Sequence, residues 1–313
     1  MSLKKSKTDK PILVVGDVIL DIYHFGEPLA DSEGVAVGRD VKMRHSWGGA
    51  GLLARNLLEL GQKVIFISLV GDDTLGAYEK QWTHRNLTKC FVQEKKRKTT
   101  IKERFIIGGK KVFKWNTPED RAPSAATEQR VIVLMKKHLP NCRALVVSDY
   151  RHGFITARFA RRIVTLAKQT QKPVFVDSQV SQKRANHHWY KGADAFCLNE
   201  TEARCVDEGF SLDAPCDSLA RLSKILASGH IVVKRGENGS SALIERIVTH
   251  TPAHKVTAVD TCGAGDAFLA ALVSRGFPPN EESLIFANFW AGISTTVVGA
   301  EPPAYKKYKY VRN

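Results

Sequence analysis

The run Val259-Asp-Thr-Cys-Gly-Ala-Gly-Asp266 places a carboxylate just ahead of a strongly helix-forming stretch, Ala267 to Leu272. Three small residues, Gly263, Ala264 and Gly265, precede that carboxylate. Small residues let an anion approach the free main-chain N–H groups of a helix start, and the helix dipole favours negative charge there. Asp266 at this place repels a bound phosphate unless an alcohol lies between them. It can then take the hydroxyl proton while the amides of Gly263, Ala264 and Gly265 receive charge developing on a transferred phosphoryl group. By itself, the pattern fits an ordinary glycine turn with a helix cap equally well.

Other elements must bring further groups to the same place. Short apolar runs at Ile12–Val15, Ala144–Val147, Val174–Val176, Ala195–Leu198 and Ile231–Val233 lead into Asp17, Asp149, Asp177, Asn199 and Lys234. Helical patterns at 125–138, 156–169 and 217–227 alternate with these strands. That rhythm predicts a parallel sheet with helices on both faces, and a ligand crevice at the carboxyl ends of its strands. Each polar strand end taken singly reads as a cap or loop residue; together they read as one functional edge.

Two stretches leave the alternation. Residues 35–46 partly alternate apolar and polar, and two strand-like runs flank Gly108-Gly109, the signal of a hairpin turn. Segments 35–46 and 88–115 are thus expected to form a small lid of strands. Between them, Gly48-Gly49 opens a helix carrying Leu52, Leu53, Leu57 and Leu58 that stops at Gly61, and a strand follows from Val64 to Val70.

The chain has 313 residues, long enough for one large α/β domain, expected over 11–303. A tail or tag at 1–10 and a basic tail at 304–313 flank it. No apolar run reaches membrane-spanning length, and the N-terminus lacks an apolar signal core, so a cytoplasmic protein without a membrane partner is expected. Cys90, Cys142, Cys197, Cys205, Cys216 and Cys262 form no CxxC pair, which argues against zinc and for reduced thiols. The net charge of +15 concentrates in the two tails and in Lys95–Lys111, and reads first as a solvated surface. Tyr305, Tyr308 and Tyr310 interleave with basic residues and motivate a less favoured alternative, nucleic-acid binding on the same scaffold.

Asp260-Thr-Cys-Gly-Ala-Gly-Asp266 resembles the C-terminal signature of the ribokinase-like (PfkB) sugar kinases, usually Asp-Thr-Thr/Val-Gly-Ala-Gly-Asp. Gly16-Asp-Val-Ile-Leu-Asp21, the glycine stretch opening at Trp47, Asn199-Glu-Thr-Glu202, Val233-Lys-Arg-Gly-Glu-Asn-Gly239 and Phe286-Ala-Asn288 are similar to further motifs of that family. Tyr23, Ser148-Asp-Tyr150 with Gly153, and Lys102-x-Arg104 look most like its heptose-7-phosphate kinases.

The resemblance implies a ribokinase-like three-layer α/β/α sandwich with a mostly parallel central sheet and a small β-strand lid. It implies ATP, Mg2+ and a monovalent cation such as K+ as cofactors. Asp266 would be the base. Asp17, Asp21, Gly48, Gly49 and Asp149 would meet the sugar, and Lys102 and Arg104 its existing phosphate. Asn199, Lys234, Gly236, Gly239 and Asn288 would meet the nucleotide, and Glu202 the magnesium through water. The implied partners are a sugar or sugar phosphate and a second copy of the chain, paired through the lid. Four positions depart from the pattern: Leu52 for Asn, His152 for Lys, Gln179 for Lys, and Cys262 for Thr or Val. They keep open a kinase of another small alcohol, such as a nucleoside, ribose or a fructose phosphate.

Overall fold

The computed structural model describes residues 9–29, 37–73, 82–181 and 184–305. A nine-stranded sheet has the order β13-β12-β11-β10-β9-β8-β1-β4-β5. Its strands are β1 (Ile12–Gly16), β4 (Val64–Gly71), β5 (Leu87–Glu94), β8 (Ala144–Asp149), β9 (Val174–Ser178), β10 (Ala195–Asn199), β11 (His230–Lys234), β12 (Ser240–Ile244) and β13 (Ile247–Thr251). From β5 to β11 all neighbours run parallel, whereas β12 and β13 form an antiparallel hairpin at one edge.

Side chains alternate across a strand, so apolar runs without alternation must be covered on both faces. Leu13 and Val15 of β1 enter one core, with residues of α2 (Ala125–His138), α3 (Ala157–Gln169) and α5 (Pro215–Leu226). Ile12 and Val14 enter the other, with α1 (Ala50–Glu59), α6 (Ala264–Ser274) and α7 (Glu281–Ser294). The short α4 (Glu200–Val206) follows β10 directly. This is the three-layer sandwich expected from the alternation.

A second sheet of four strands, ordered β3-β2-β6-β7, forms the lid. It consists of β2 (Val18–Pro28), β3 (Gly38–Gly49), β6 (Ile101–Ile107) and β7 (Lys110–Thr117). The expected hairpin at Gly108-Gly109 is present, and both glycines adopt positive φ (56° and 77°), as a tight turn of that hand requires. The lid's predicted boundaries need two corrections. Segment 87–94 belongs to the main sheet, where Cys90 pairs beside Ile67 of β4. Segment 18–28 belongs to the lid, because β2 continues past Asp17 and pairs in parallel with β6. Residues 35 and 36 of the predicted lid strand lie outside the described residues, as do most of both tails.

Helices α1 and α7 are pinned by one buried polar contact. The indole N–H of Trp290 donates to Asn56 Oδ1 at 2.8 Å, and the Asn56 amide donates to Leu52 O at 3.0 Å. Both side chains are buried. Asn56→Ala leaves the indole N–H without its acceptor and is expected to lower the free energy of unfolding by about 1–3 kcal/mol, measured by urea denaturation.

Candidate active site

Helix α6 starts at Gly263, whose φ of 84° is left-handed and therefore suits glycine. A side chain there would also collide with Leu52. No side chain caps this helix end; the Ala264 N–H makes a long turn bond of 3.3 Å to Thr261 O, and the start of the helix otherwise presents main-chain N–H groups to an anion. Gly263, Ala264, Gly265 and Asp266 line a cleft of about 1040 Å³ that runs along the carboxyl ends of β9, β10 and β11. Asp266 is buried at the third helical position. Its Oδ2 accepts a hydrogen bond of 2.6 Å from the Tyr150 hydroxyl. Burial pushes the Asp266 carboxyl up to about 7, even though the Tyr150 hydrogen bond and Lys234 act in the opposite sense. Burial and then the nearby Asp266 raise the Tyr150 phenol well above its usual range, so it stays a proton donor.

One half of the cleft is built by the later strands. Lys234 Nζ donates to Asp177 Oδ2 at 2.6 Å. A Cβ added to Gly265 would stand 3.4 Å from that same amine, so the cation lies against the helix start. Burial opposes its charge, but Asp177 leads the groups that hold its pKa above the ordinary range. Asn199 and Glu202 make a reciprocal capping box at the start of α4. Burial raises the Glu202 carboxyl, and Asp177 adds to that rise while Lys234 opposes it. Gly236 and Gly239 line the cleft at positive φ (55° and 81°). Asn288 also lines it, with its amide committed to Ser240 and Thr251 of the edge hairpin. Among the described residues no cluster of three or more His, Cys, Asp or Glu could enclose a metal ion. Asp177 and Glu202 instead supply the one or two carboxylates that magnesium uses when phosphates and water complete its shell. The donor set therefore fits that ion.

A second group of candidate residues lies outside that lining, between the main sheet and the lid, and reaches the cleft through Tyr150. Asp17 Oδ2 accepts the main-chain N–H of Tyr150 at 2.8 Å and of His152 at 3.4 Å. Burial, followed by the charge of Asp149, raises the Asp17 carboxyl. Asp21 packs so tightly on Gly48 that a Cβ there would strike its carboxylate, while Gly49 turns the chain into α1 at a φ of 59°. Arg104 donates to Asp21 Oδ1 at 2.5 Å and lies over the Tyr23 ring. Its other terminal nitrogen is 4.0 Å from Cys262 Sγ. Lys102 lies over the ring of Tyr150, 5.3 Å from its centre. Both basic residues thus point inward from β6, as their alternate spacing predicts.

Two expected site residues have their polar groups engaged by the protein itself. Asp149 is buried away from the cleft, where Oδ2 accepts hydrogen bonds from Ser178, Asn186 and Tyr190 and Oδ1 accepts one from the Arg151 N–H. Its oxygens are thus engaged inside the protein, where they tie the loop after β8 to β9 and to residues 186–190. Arg104 is likewise committed to Asp21, which leaves Lys102 as the freer of the two lid cations. Tyr305, read as part of a basic tail, packs on Trp290 with ring centres 5.6 Å apart. The tyrosines at 308 and 310 lie outside the described residues.

Tyr150 and Asp260 were not singled out from the sequence for the roles they take. Tyr150 stood in the Ser148-Asp-Tyr150 motif at the polar end of β8, but nothing in the sequence pointed to its hydrogen bond with Asp266. Asp260 binds the signature loop through Cys262 N–H (3.1 Å), the 299–301 loop through Gly299 N–H (3.2 Å), and the lid through Lys111 Nζ (3.4 Å).

The pattern of the pfkB family carbohydrate kinases matches residues 9–307. The bifunctional protein HldE of Rhodopseudomonas palustris is 33% identical over 281 residues, covering 85% of this chain and 56% of its own length. That of Trichlorobacter lovleyi is 30% identical, covering 92% and 60%. The chain therefore spans little more than half the length of these relatives. Among solved structures, Escherichia coli phosphofructokinase-2 in complex with potassium superposes with a TM-score of 0.79 at 16% identity, covering 95% of this chain and 96% of that one. Arabidopsis thaliana ribokinase with ribose and ATP gives 0.69 at 19% identity, covering 94% and 96%. These two likenesses concern the fold. Among the described residues no helix is long and apolar enough to cross a membrane.

The Tyr150 hydrogen bond favours the ionised form of Asp266. Tyr150→Phe is therefore expected to move the Asp266 pKa upward from about 7, by about half a unit or more, as followed by carbon NMR of the carboxyl group. A downward move or none would remove Tyr150 from this role.

Proposed function

The chain belongs to the pfkB family of carbohydrate kinases, and on that premise we propose that it transfers the terminal phosphoryl group of ATP to a hydroxyl of a sugar phosphate resembling heptose 7-phosphate. The observation that carries this reading is the buried Asp266 carboxyl beside the uncapped start of α6. A base with a pKa near 7 is ionised often enough to act and basic enough to take a hydroxyl proton in the transition state.

Asp266 accepts the proton of the acceptor hydroxyl. The N–H groups of Gly263, Ala264 and Gly265 and the Lys234 amine receive the charge of the transferred group. Asp177 and Glu202, with Asn199, would hold magnesium, which when bound neutralises phosphate charge. The glycines at 236 and 239 leave room for the nucleotide, and Asn288 keeps that wall in shape. Asp17 and Asp21 face the sugar, with Gly48 and Gly49 giving it close approach. Lys102 carries the contact to its existing phosphate. The lid excludes water from the transfer.

Leu52 favours a shifted sugar preference, because it brings a hydrocarbon against Gly263 where the family pattern has an amide. A monovalent cation, such as the potassium of phosphofructokinase-2, belongs to this proposal as an activator. So does a homodimer through the lid, whose Val41, Met43, Phe113 and Trp115 are exposed. The six free cysteines support a reducing, cytoplasmic setting.

Asp266→Asn is expected to lower kcat by about 10²–10⁴ with little change in the KM for ATP, in an assay coupled to ADP release. Lys102→Ala is expected to raise the KM for heptose 7-phosphate about tenfold or more while the KM for ATP stays within about twofold. Retained turnover in Asp266→Asn would remove the proposed base, and equal shifts of both KM values would remove the proposed phosphate contact.

A further inference from the structure

Most cations around the lid and the loop after β8 are already committed. Arg104 is held by Asp21, Arg55 by Glu301, and Lys111 by Asp260. Arg97 donates to the carbonyls of Arg121 and His152. Lys102 has no carboxylate within ion-pairing distance among the described residues, and it rests over the Tyr150 ring.

His152 is the second group left open. Its Nδ1 lies 3.3 Å from Asp120 Oδ1. An ionised carboxylate can only accept, so Nδ1 carries the hydrogen and Nε2 is left to find its own partner. That nitrogen is buried and has none. It is one of several such side-chain atoms among the described residues, and a ligand group or a water can supply the partner. The backbone around the ring is fixed on both sides. The His152 N–H is held by Asp17 and its carbonyl by Arg97. The backbone that carries the ring is therefore held, and the ring itself is oriented by Asp120.

We propose that His152 and Lys102 together receive the anionic group of the substrate, the phosphate of a phosphorylated sugar, with His152 donating from Nε2 in its protonated form. This rests on the reading of the chain as a sugar-phosphate kinase. A histidine at this place supplies a charge that switches near neutral pH, where a lysine would carry a permanent one.

The groups facing the ring come from several elements. They are Lys102 on β6, Asp120 after β7, Asp149 at the end of β8, and Asp17 between β1 and β2. Burial, and then Lys102, hold the free imidazole below its ordinary pKa, while Asp120 and Asp149 act against them. The unliganded ring is thus neutral near pH 7. A phosphate dianion stabilises the imidazolium, so binding takes up a proton from solvent. Affinity for the phosphorylated sugar then falls as pH rises from the depressed pKa of the free ring to the higher pKa of the complex.

The test uses heptose 7-phosphate with wild type, His152→Lys and His152→Gln. The ratio of the wild-type KM to the His152→Lys KM cancels the ionisation of the substrate itself. It is expected to rise about tenfold between about pH 6 and about pH 8, with the KM for ATP moving less than about twofold. Calorimetry in two buffers of different ionisation enthalpy should show uptake of close to one proton on heptose 7-phosphate binding to wild type and almost none in either variant. A flat ratio without proton uptake, in an enzyme that turns over the sugar phosphate, overturns the role of His152 alone. Turnover of uncharged sugars only overturns the functional reading and this inference with it.

Discussion

A carboxyl group buried against the open start of a buried helix is the constraint on which the rest of this protein depends. Burial favours the protonated acid, whereas the helix dipole and its unpaired N–H groups favour an anion in the same place. Neither demand is met within the chain by a simple cap, because Gly263 offers no side chain to α6. The arrangement is balanced instead by Tyr150, which donates to Asp266, and by Lys234, which Asp177 holds against the helix start. An anionic ligand and a hydroxyl between it and Asp266 complete that balance, which is why the site reads as one for phosphoryl transfer.

The sheet topology follows from the same demand. Parallel strands put all their carboxyl ends on one edge, so residues far apart in sequence, from Asp17 to Lys234, meet around α6. The lid is linked to that edge through shared residues. Asp21 holds Arg104 of β6 and packs on Gly48, while Asp260 joins the signature loop, Lys111 of the lid and the Gly299 backbone. Ala300 N–H in turn donates to the Tyr23 hydroxyl. Lid position and the geometry of the helix start are therefore coupled through a few polar contacts, which is how a cover over a water-sensitive transfer needs to behave.

Much of this was legible in the residues. The alternation of apolar runs and helical patterns marked the sheet, because strands buried on both faces and amphipathic helices have different periods. Asp260–Asp266 marked the helix start through its resemblance to a family signature, since its residues alone fit an ordinary glycine turn equally well. What stayed hidden depended on pairing across the chain. The lid's boundaries were misread because the run after Gly16-Asp17 carries no signal of its own for either sheet, and only its partner β6 assigns β2 to the lid. Asp149 looked like a cleft residue because it ends a strand; Asn186 and Tyr190, which claim its oxygens, come from about forty residues later. Arg104 looked free for the same reason, since its partner Asp21 lies 83 residues earlier.

The most direct measurement is a crystal structure with a non-hydrolysable ATP analogue and a sugar phosphate. The terminal phosphoryl group is expected within hydrogen-bonding distance of the N–H groups at the start of α6, Gly263 to Gly265. The acceptor hydroxyl is expected between that group and the Asp266 carboxylate. A nucleotide whose phosphates bind away from α6, or an acceptor hydroxyl out of reach of Asp266, would contradict it.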